Sequence, residues 1–115
     1  MGYIQTWRNR GTGGDSSCCE SPIERRLYNA LASRGHVVKT QVPCGRYRID
    51  LALPHYRIAI ECDGHDFHSS RSQKAHDRKK DRFLRERGWM VMRFTGSQIN
   101  GKMAYVIRQI EEAAR

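Results

Sequence analysis

Arg46-Tyr47-Arg48-Ile49-Asp50-Leu51-Ala52-Leu53, followed by Pro54-His55-Tyr56-Arg57 and then Ile58-Ala59-Ile60-Glu61-Cys62-Asp63, reads as two short strands joined by a four-residue turn. A hairpin with that loop pairs Leu53 with Ile58, and counting back along both strands sets Asp50 opposite Glu61. Period-two alternation sends Tyr47, Ile49, Leu51 and Leu53 to one face beside Ile58, Ile60 and Cys62. Asp50, Glu61 and Asp63 then share the other face. Directly opposed side chains have Cβ atoms about 4.5–5.5 Å apart, where like charges destabilise a sheet unless something offsets them. A hard divalent cation does so, because carboxylate oxygens are the ligands that Mg²⁺ and Ca²⁺ take. The structural alternative is solvation, or pairing with arginines such as Arg48, which this register places opposite Asp63.

Working outward, Val37 to Val42 reads as a strand and Pro43-Cys44-Gly45 as a turn, so the acidic hairpin completes a three-stranded meander. Upstream, Ser21-Pro22-Ile23-Glu24 is a helix start, with Ser21 as cap, Pro22 in the first turn and Glu24 three residues after the cap. Ile23, Leu27, Ala30 and Leu31 form its apolar stripe, and Gly35 stops it. As the acid of a capping box, Glu24 has a structural explanation that competes with any catalytic role. Residues 1–20 are rich in glycine and serine and read as an arm, with residues 21–115 as the folded domain. Trp7, Arg8 and Arg10 would let that arm touch nucleic acid, or it is a loosely docked tail.

Downstream, the polar run from Ser69 to Arg87 suits a helix ended by Gly88. Trp89-Met90-Val91-Met92-Arg93-Phe94 is apolar on both faces, as expected of a strand in the middle of a sheet. The path from Ile58 through that helix to Phe94 resembles a right-handed βαβ crossover. Ser97 can cap a last helix with the stripe Met103, Val106, Ile107 and Ile110.

At 115 residues and 13.4 kDa the chain has room for one modest core. A net charge of +9 and a pI near 9.9 favour a polyanionic partner, with nucleic acid the first candidate. No apolar run approaches the roughly 18 residues needed to span a membrane, and no signal peptide is evident, so a cytoplasmic, intracellular protein is expected. Cys18, Cys19, Cys44 and Cys62 have neither zinc-ribbon nor disulfide-framework spacing, and reduced thiols are expected. Cys62 alternates onto the apolar face as a small hydrophobe.

Two segments flank the acids. Asp63-Gly64-His65-Asp66-Phe67-His68 lands beside them and offers an imidazole for proton transfer near neutral pH. Zinc held by His65, His68, His76 and Cys62 is a competing reading that the acid cluster disfavours, because it suits a harder ion. Between Arg71 and Arg87 stand eight basic residues against three acids. Such a run is usually a solvated helix face. Beside a metal cluster, Arg71, Lys74, Arg78, Lys79, Lys80 and Arg82 suit the binding of a DNA backbone. Leu84 must face inward, and Asp77, seven residues earlier, shares nearly that face. Lys80 would neutralise Asp77 or meet a phosphate.

The order of a Ser-Pro-x-Glu helix, an Arg-Ile-Asp strand, an Ile-Glu-x-Asp-Gly strand end, a following His, and Asp-x-x-Lys ahead of Leu84 and Gly88-Trp89 resembles one branch of the PD-(D/E)XK nucleases. That branch is the very-short-patch-repair-like, EDxHD-type group, which includes phage homing endonuclease catalytic domains. The resemblance spans roughly residues 21 to 99. It implies a restriction-endonuclease-like α/β fold, an αβββαβα core with a mixed sheet flanked by helices. Carried over, the site is Glu24, Asp50, Asp63, His68 and Asp77, with Glu61 added as in the wider superfamily. The superfamily's lysine, two residues after the second acid, is replaced by Asp63.

The resemblance thus implies a Mg²⁺ (or Mn²⁺) dependent DNA endonuclease of repair or homing type, nicking or cutting both strands. Asp50 and Glu61 would hold the ion with the Cys62 carbonyl, and Asp63 would bind a second ion or orient a histidine. His68, or else His65, would move the proton, and Asp77 would hold His68. A homo-oligomer or an additional DNA-targeting domain fits such an enzyme. The rival from another class is a noncatalytic nucleic-acid-binding module on a nuclease fold, its acids balancing Arg46, Arg48 and Arg57.

Overall fold

The Ser21 hydroxyl accepts the Glu24 amide at 3.3 Å and Pro22 fills the first turn, so the first helix, α1 (Pro22–Ser33), starts where the sequence puts it. The computed structural model describes Cys19, residues 21–64 and residues 70–115. After α1 come β1 (Lys39–Cys44), β2 (Tyr47–Leu53), a 3-10 turn (Pro54–Tyr56), β3 (Ile58–Asp63), α2 (Arg71–Glu86), β4 (Met90–Thr95), α3 (Gly96–Gly101) and α4 (Met103–Ala113). The arm beyond Cys19 lies outside the described residues. Cys19 itself, placed in the arm by sequence, is buried against the core.

The four strands lie in the order β1-β2-β3-β4, antiparallel across the first two pairings and parallel across the last. The parallel pair is joined through α2, as the crossover reading expects. With four strands in sequence order, β3 is central and β4 is an edge of the described sheet. The expectation of a mid-sheet β4 is therefore corrected. Met90 is exposed at its start, and the strand's apolar character serves helices rather than a fifth strand.

One core lies between the sheet and the helices α1, α3 and α4. It joins Leu27, Tyr28 and Leu31 to Leu51, Leu53, Ile58, Ile60 and Phe94, and to Ile99, Val106, Ile107 and Ile110. A smaller one lies under α2, where Leu84 meets Val42, Ile49, Ala52, Ala59 and Trp89. Strict alternation along β2 therefore fails. Leu51 and Leu53 face the first core, whereas Ile49 faces the second and Tyr47 stacks edge-on against Phe83 of α2 at 5.1 Å. The change of face falls at Asp50. Across the β1–β2 ladder, between Thr40–Leu51 and Val42–Ile49, stands Gln41 with a φ of 50°. A non-glycine residue in that region costs about 1–2 kcal/mol and breaks the pleat's regular rotation.

Several boundaries differ from the sequence reading, among them the start of β1 at Lys39 rather than Val37. Pro43 and Cys44 belong to β1, and the turn is Gly45-Arg46. Ser97 does not cap the last helix. Thr95 caps the short α3 through a reciprocal box with Gln98, and α4 begins afresh after Lys102. Gly45 is required for two reasons: its φ is +61°, and a Cβ there would overlap the Phe83 ring. Gly45→Ala is expected to cost about 2 kcal/mol, combining the left-handed penalty with overpacking. Urea denaturation checks it, and an unchanged midpoint would refute the close approach.

Candidate active site

The hairpin register is the one counted from the sequence: Leu53 pairs with Ile58, Ala52 with Ala59 and Leu51 with Ile60. One step further, Asp50 and Glu61 interlock. The Asp50 amide donates to Glu61 Oε2 at 3.2 Å, and the Cys62 amide donates to Asp50 Oδ2 at 2.9 Å. Two backbone N–H groups that a continuous ladder would use are thus taken by carboxylates. Beyond this point β2 stays with β1 down to the Cys44–Tyr47 pair, while β3 stays with β4 up to Asp63–Thr95. The sheet forks at the acid pair.

Glu61 is almost wholly buried, at 2% exposure, on the α2 side of the sheet. Its carboxyl is pushed up from 4.5 to about 7, first by burial and then by the neighbouring Asp50 charge, with Lys80 pulling the other way. Lys80 reaches across from α2, and its Nζ donates to Glu61 Oε1. Of the two partners the sequence suggests for Lys80, Asp77 or a phosphate, the first is corrected: the carboxylate it meets is Glu61. Arg93 of β4, which the register sets beside Glu61, takes the other helix acids: Asp81 at 2.6 Å and Asp77 at 3.7 Å. Gln73 also donates to Asp77 at 3.0 Å. Asp77 does face the sheet as its spacing predicts.

Glu24 is buried under the same region and accepts a bond from Gln41 Nε2 at 3.0 Å. Its carboxylate is thereby engaged with the residue whose backbone turns left-handed across from Asp50. Cys62 points its thiol into the core, where burial raises its pKa, so its carbonyl and not its sulfur is what it offers to an ion. That thiol placement removes Cys62 from the zinc reading. Asp63 is half-buried at the end of β3 opposite Thr95. Among the described residues no three His, Cys, Asp or Glu side chains stand close enough to share one ion. The contacts between acids and backbone join Asp50 and Glu61, while Asp63 continues along β3 beside Thr95 of β4. His65, His68 and Asp66 lie outside the described residues.

Asp50 opens into a pocket of about 670 Å³ lined also by Gln41, Arg46, Tyr47, Arg48, His76, Lys79 and Lys80, the last of which bonds to Glu61 behind it. The six basic residues expected to meet DNA are spread around α2. Lys79 and Lys80 face this pocket, whereas Arg78 and Arg82 line a separate shallow face with Asp81, Arg85 and Glu86. Arg71 and Lys74 are exposed on the first turn of α2. About 100° per residue around a helix separates neighbours that a linear charge count lumps together. Arg46, Arg48, Tyr47, His76, Gln41 and Arg93 were not assigned to the site. For Arg93 a signal existed, since it is the one charged residue in an otherwise apolar strand.

Burial of Glu61 has a pH consequence. The folded carboxyl binds its proton more tightly than the unfolded one, so stability is full below about 4.5 and declines as pH rises through 7. In chelator the wild type is expected to lose roughly 2–3 kcal/mol between pH 5 and 8, at 1.36 kcal/mol per tenfold change. Glu61→Gln should flatten that slope, as followed by urea denaturation at each pH. Glu111, held low at about 2 by Arg34 and His36, acts only at the opposite end, where stability falls with acid below the ordinary carboxylate range.

The profile of the REase_MTES_1575 family matches residues 23–113, which includes every element of this fold. The chain belongs to the REase_MTES_1575 family. Uncharacterized protein YcjD of Escherichia coli (strain K12) is 32% identical over 92 residues, covering 76% of this chain and 74% of that protein. The catalytic domain of homing endonuclease I-Bth0305I superposes with a TM-score of 0.67 at 22% identity, over 82% of this chain and 94% of that domain. That likeness establishes the fold: a restriction-endonuclease-like mixed sheet flanked by helices, as REase_MTES_1575 membership also requires. No helix among the described residues is long and apolar enough to cross a membrane.

Proposed function

We propose that this REase_MTES_1575 protein is a DNA endonuclease that hydrolyses phosphodiesters with Mg²⁺ or Mn²⁺. The observation that carries the reading is the interlocked Asp50–Glu61 pair, with Glu61 buried and Asp50 opening into a pocket walled by Arg46, Arg48, Lys79 and Lys80. Two hard acids fit such an ion, because Mg²⁺ is usually held by one or two carboxylates and keeps much of its water. Asp50 and Glu61, with the Cys62 carbonyl, are the residues that would hold it. Once bound it supplies Lewis acidity toward the phosphate and toward water.

The rest falls to the chain. Arg46, Arg48 and Lys79 hold phosphate oxygens and so fix the strand over the acids. His68 takes the proton from the attacking water or gives one to the leaving oxygen, with Asp63 orienting a histidine or a second ion. Gln41 ties Glu24 to β1 at the position across from Asp50, which supports the strand that carries that acid. The residue order resembles that of the very-short-patch-repair-like branch, and that resemblance supports a repair-type or homing-type cut. Kinship of fold with a homing endonuclease catalytic domain supports a separate DNA-targeting domain or a second copy of the chain as the source of target choice.

A noncatalytic DNA-binding module is the second reading, and the Lys80–Glu61 contact is what favours it, since the acids then have an internal counter-ion. Incubating supercoiled plasmid with the protein in Mg²⁺, Mn²⁺ or chelator separates the two. The enzyme should give nicked or linear DNA only with an ion; binding unaltered by chelator and no cutting would establish the module.

A further inference from the structure

We propose that Lys80 is an exchangeable counter-ion: its ammonium holds the buried Glu61 of the Asp50–Glu61 pair in the ion-free protein, gives way to the divalent cation, and moves into the adjoining pocket to bind a phosphate of the DNA strand. This rests on the nuclease reading above and adds a residue that the sequence pattern does not assign to catalysis, since the superfamily's lysine position is occupied by Asp63.

Three observations carry it. Lys80 lies on α2 and reaches Glu61 Oε1, so the place where a cation must sit beside the pair is already taken by a positive charge. An ammonium and a divalent ion cannot both occupy that carboxylate without like-charge repulsion, so one must leave. Lys80 also lines the pocket with Arg46, Arg48 and Lys79, so a rotation about its flexible stem carries the ammonium from the acids to the phosphate wall without moving the helix. The helix itself is pinned elsewhere, by Leu84 in the core and by Arg93 on Asp77 and Asp81. Arg93 cannot take over the role, because its guanidinium is engaged by those two acids.

The exchange predicts opposite effects on ion binding and on cleavage, which a static structural lysine would not produce. Mn²⁺ is titrated into ion-free protein at pH 8 and free Mn²⁺ is read by paramagnetic resonance, for wild type, Lys80→Met and Lys80→Arg, with plasmid cleavage measured on the same preparations. Lys80→Met should bind Mn²⁺ about tenfold more tightly, having lost the competitor, yet cleave about tenfold more slowly at saturating Mn²⁺. Lys80→Arg, which keeps a cation, should stay within about twofold of wild-type affinity. Equal or weaker Mn²⁺ binding by a folded Lys80→Met, or undiminished cleavage, would overturn the exchange. A readout free of variants is the Lys80 side-chain nitrogen resonance in wild type: it should shift on adding Mg²⁺, and a signal unmoved at saturation would also overturn it. Wild type that binds Mn²⁺ but cuts no plasmid sinks the nuclease reading alone, and the affinities and resonance then decide whether Lys80 yields to the ion. Wild type that binds no Mn²⁺ sinks both.

Discussion

Asp50→Asn and Glu61→Gln are expected to slow plasmid cleavage by about a thousandfold or more while leaving the domain folded. Each replacement keeps the shape of the side chain and an oxygen to accept the backbone amide it now receives, from Cys62 for Asp50 and from Asp50 for Glu61. What is lost is a carboxylate ligand at the interlocked pair, and a hard ion discriminates sharply between carboxylate and amide oxygen. Several kcal/mol of transition-state stabilisation lost at 1.36 kcal/mol per tenfold gives that magnitude. Single-turnover cleavage measures it, with far-UV circular dichroism confirming the fold. Wild-type rates in either variant would remove Asp50 and Glu61 from the chemistry, and with them the reading of the pocket as an active site.

Leu84→Ala is expected to destabilise the protein by about 3 kcal/mol, within the roughly 2–5 kcal/mol seen for buried leucines. The helix α2 is overwhelmingly charged, and Leu84 is its only fully buried residue. Its neighbours in the small core are Val42, Ile49, Ala52, Ala59 and Trp89, so truncation leaves a cavity directly beneath the helix that carries Lys79 and Lys80. Phe83 already packs against the edge of this cluster, and its ring is held between Tyr47 and the Arg87 guanidinium 3.4 Å from its centre, which keeps it from moving in to fill the gap. A urea midpoint unchanged from wild type would show that ion pairs alone hold α2 down.

Much of this was legible before any coordinates. The four-residue loop at Pro54–Arg57 fixes one register, and that register alone brings Asp50 to Glu61. Ser21, Pro22, Gly35 and Gly88 punctuate α1 and α2 because caps and positive-φ stops are local chemistry. The failures share a cause: each depended on how one element is rolled or twisted against another. Which way Lys80 points depends on the roll of α2, set by Leu84 against the sheet. The switch of Ile49 to the α2 side depends on the left-handed turn at Gln41, and nothing in a glutamine announces it. The edge position of β4 follows from the number of strands in the sheet, to which an apolar hexapeptide is blind. Thr95 outcompeted Ser97 as a cap because Gln98 stands three residues after it, a pairing present in the sequence and overlooked.

The parting of β2 and β3 bears on what happens to such a chain over generations. At that point two main-chain amides are given to acids, and two carboxylates are crowded where valine or isoleucine would extend the pairing and shed the cost of burying charge. Selection for robustness alone would therefore erase the acids, since their loss makes the fold easier to keep. Folding protects Asp50 and Glu61 only against loss one at a time, and a lineage that ceased to use them could replace them together with Lys80 and drift toward a sturdier, silent protein of the same shape.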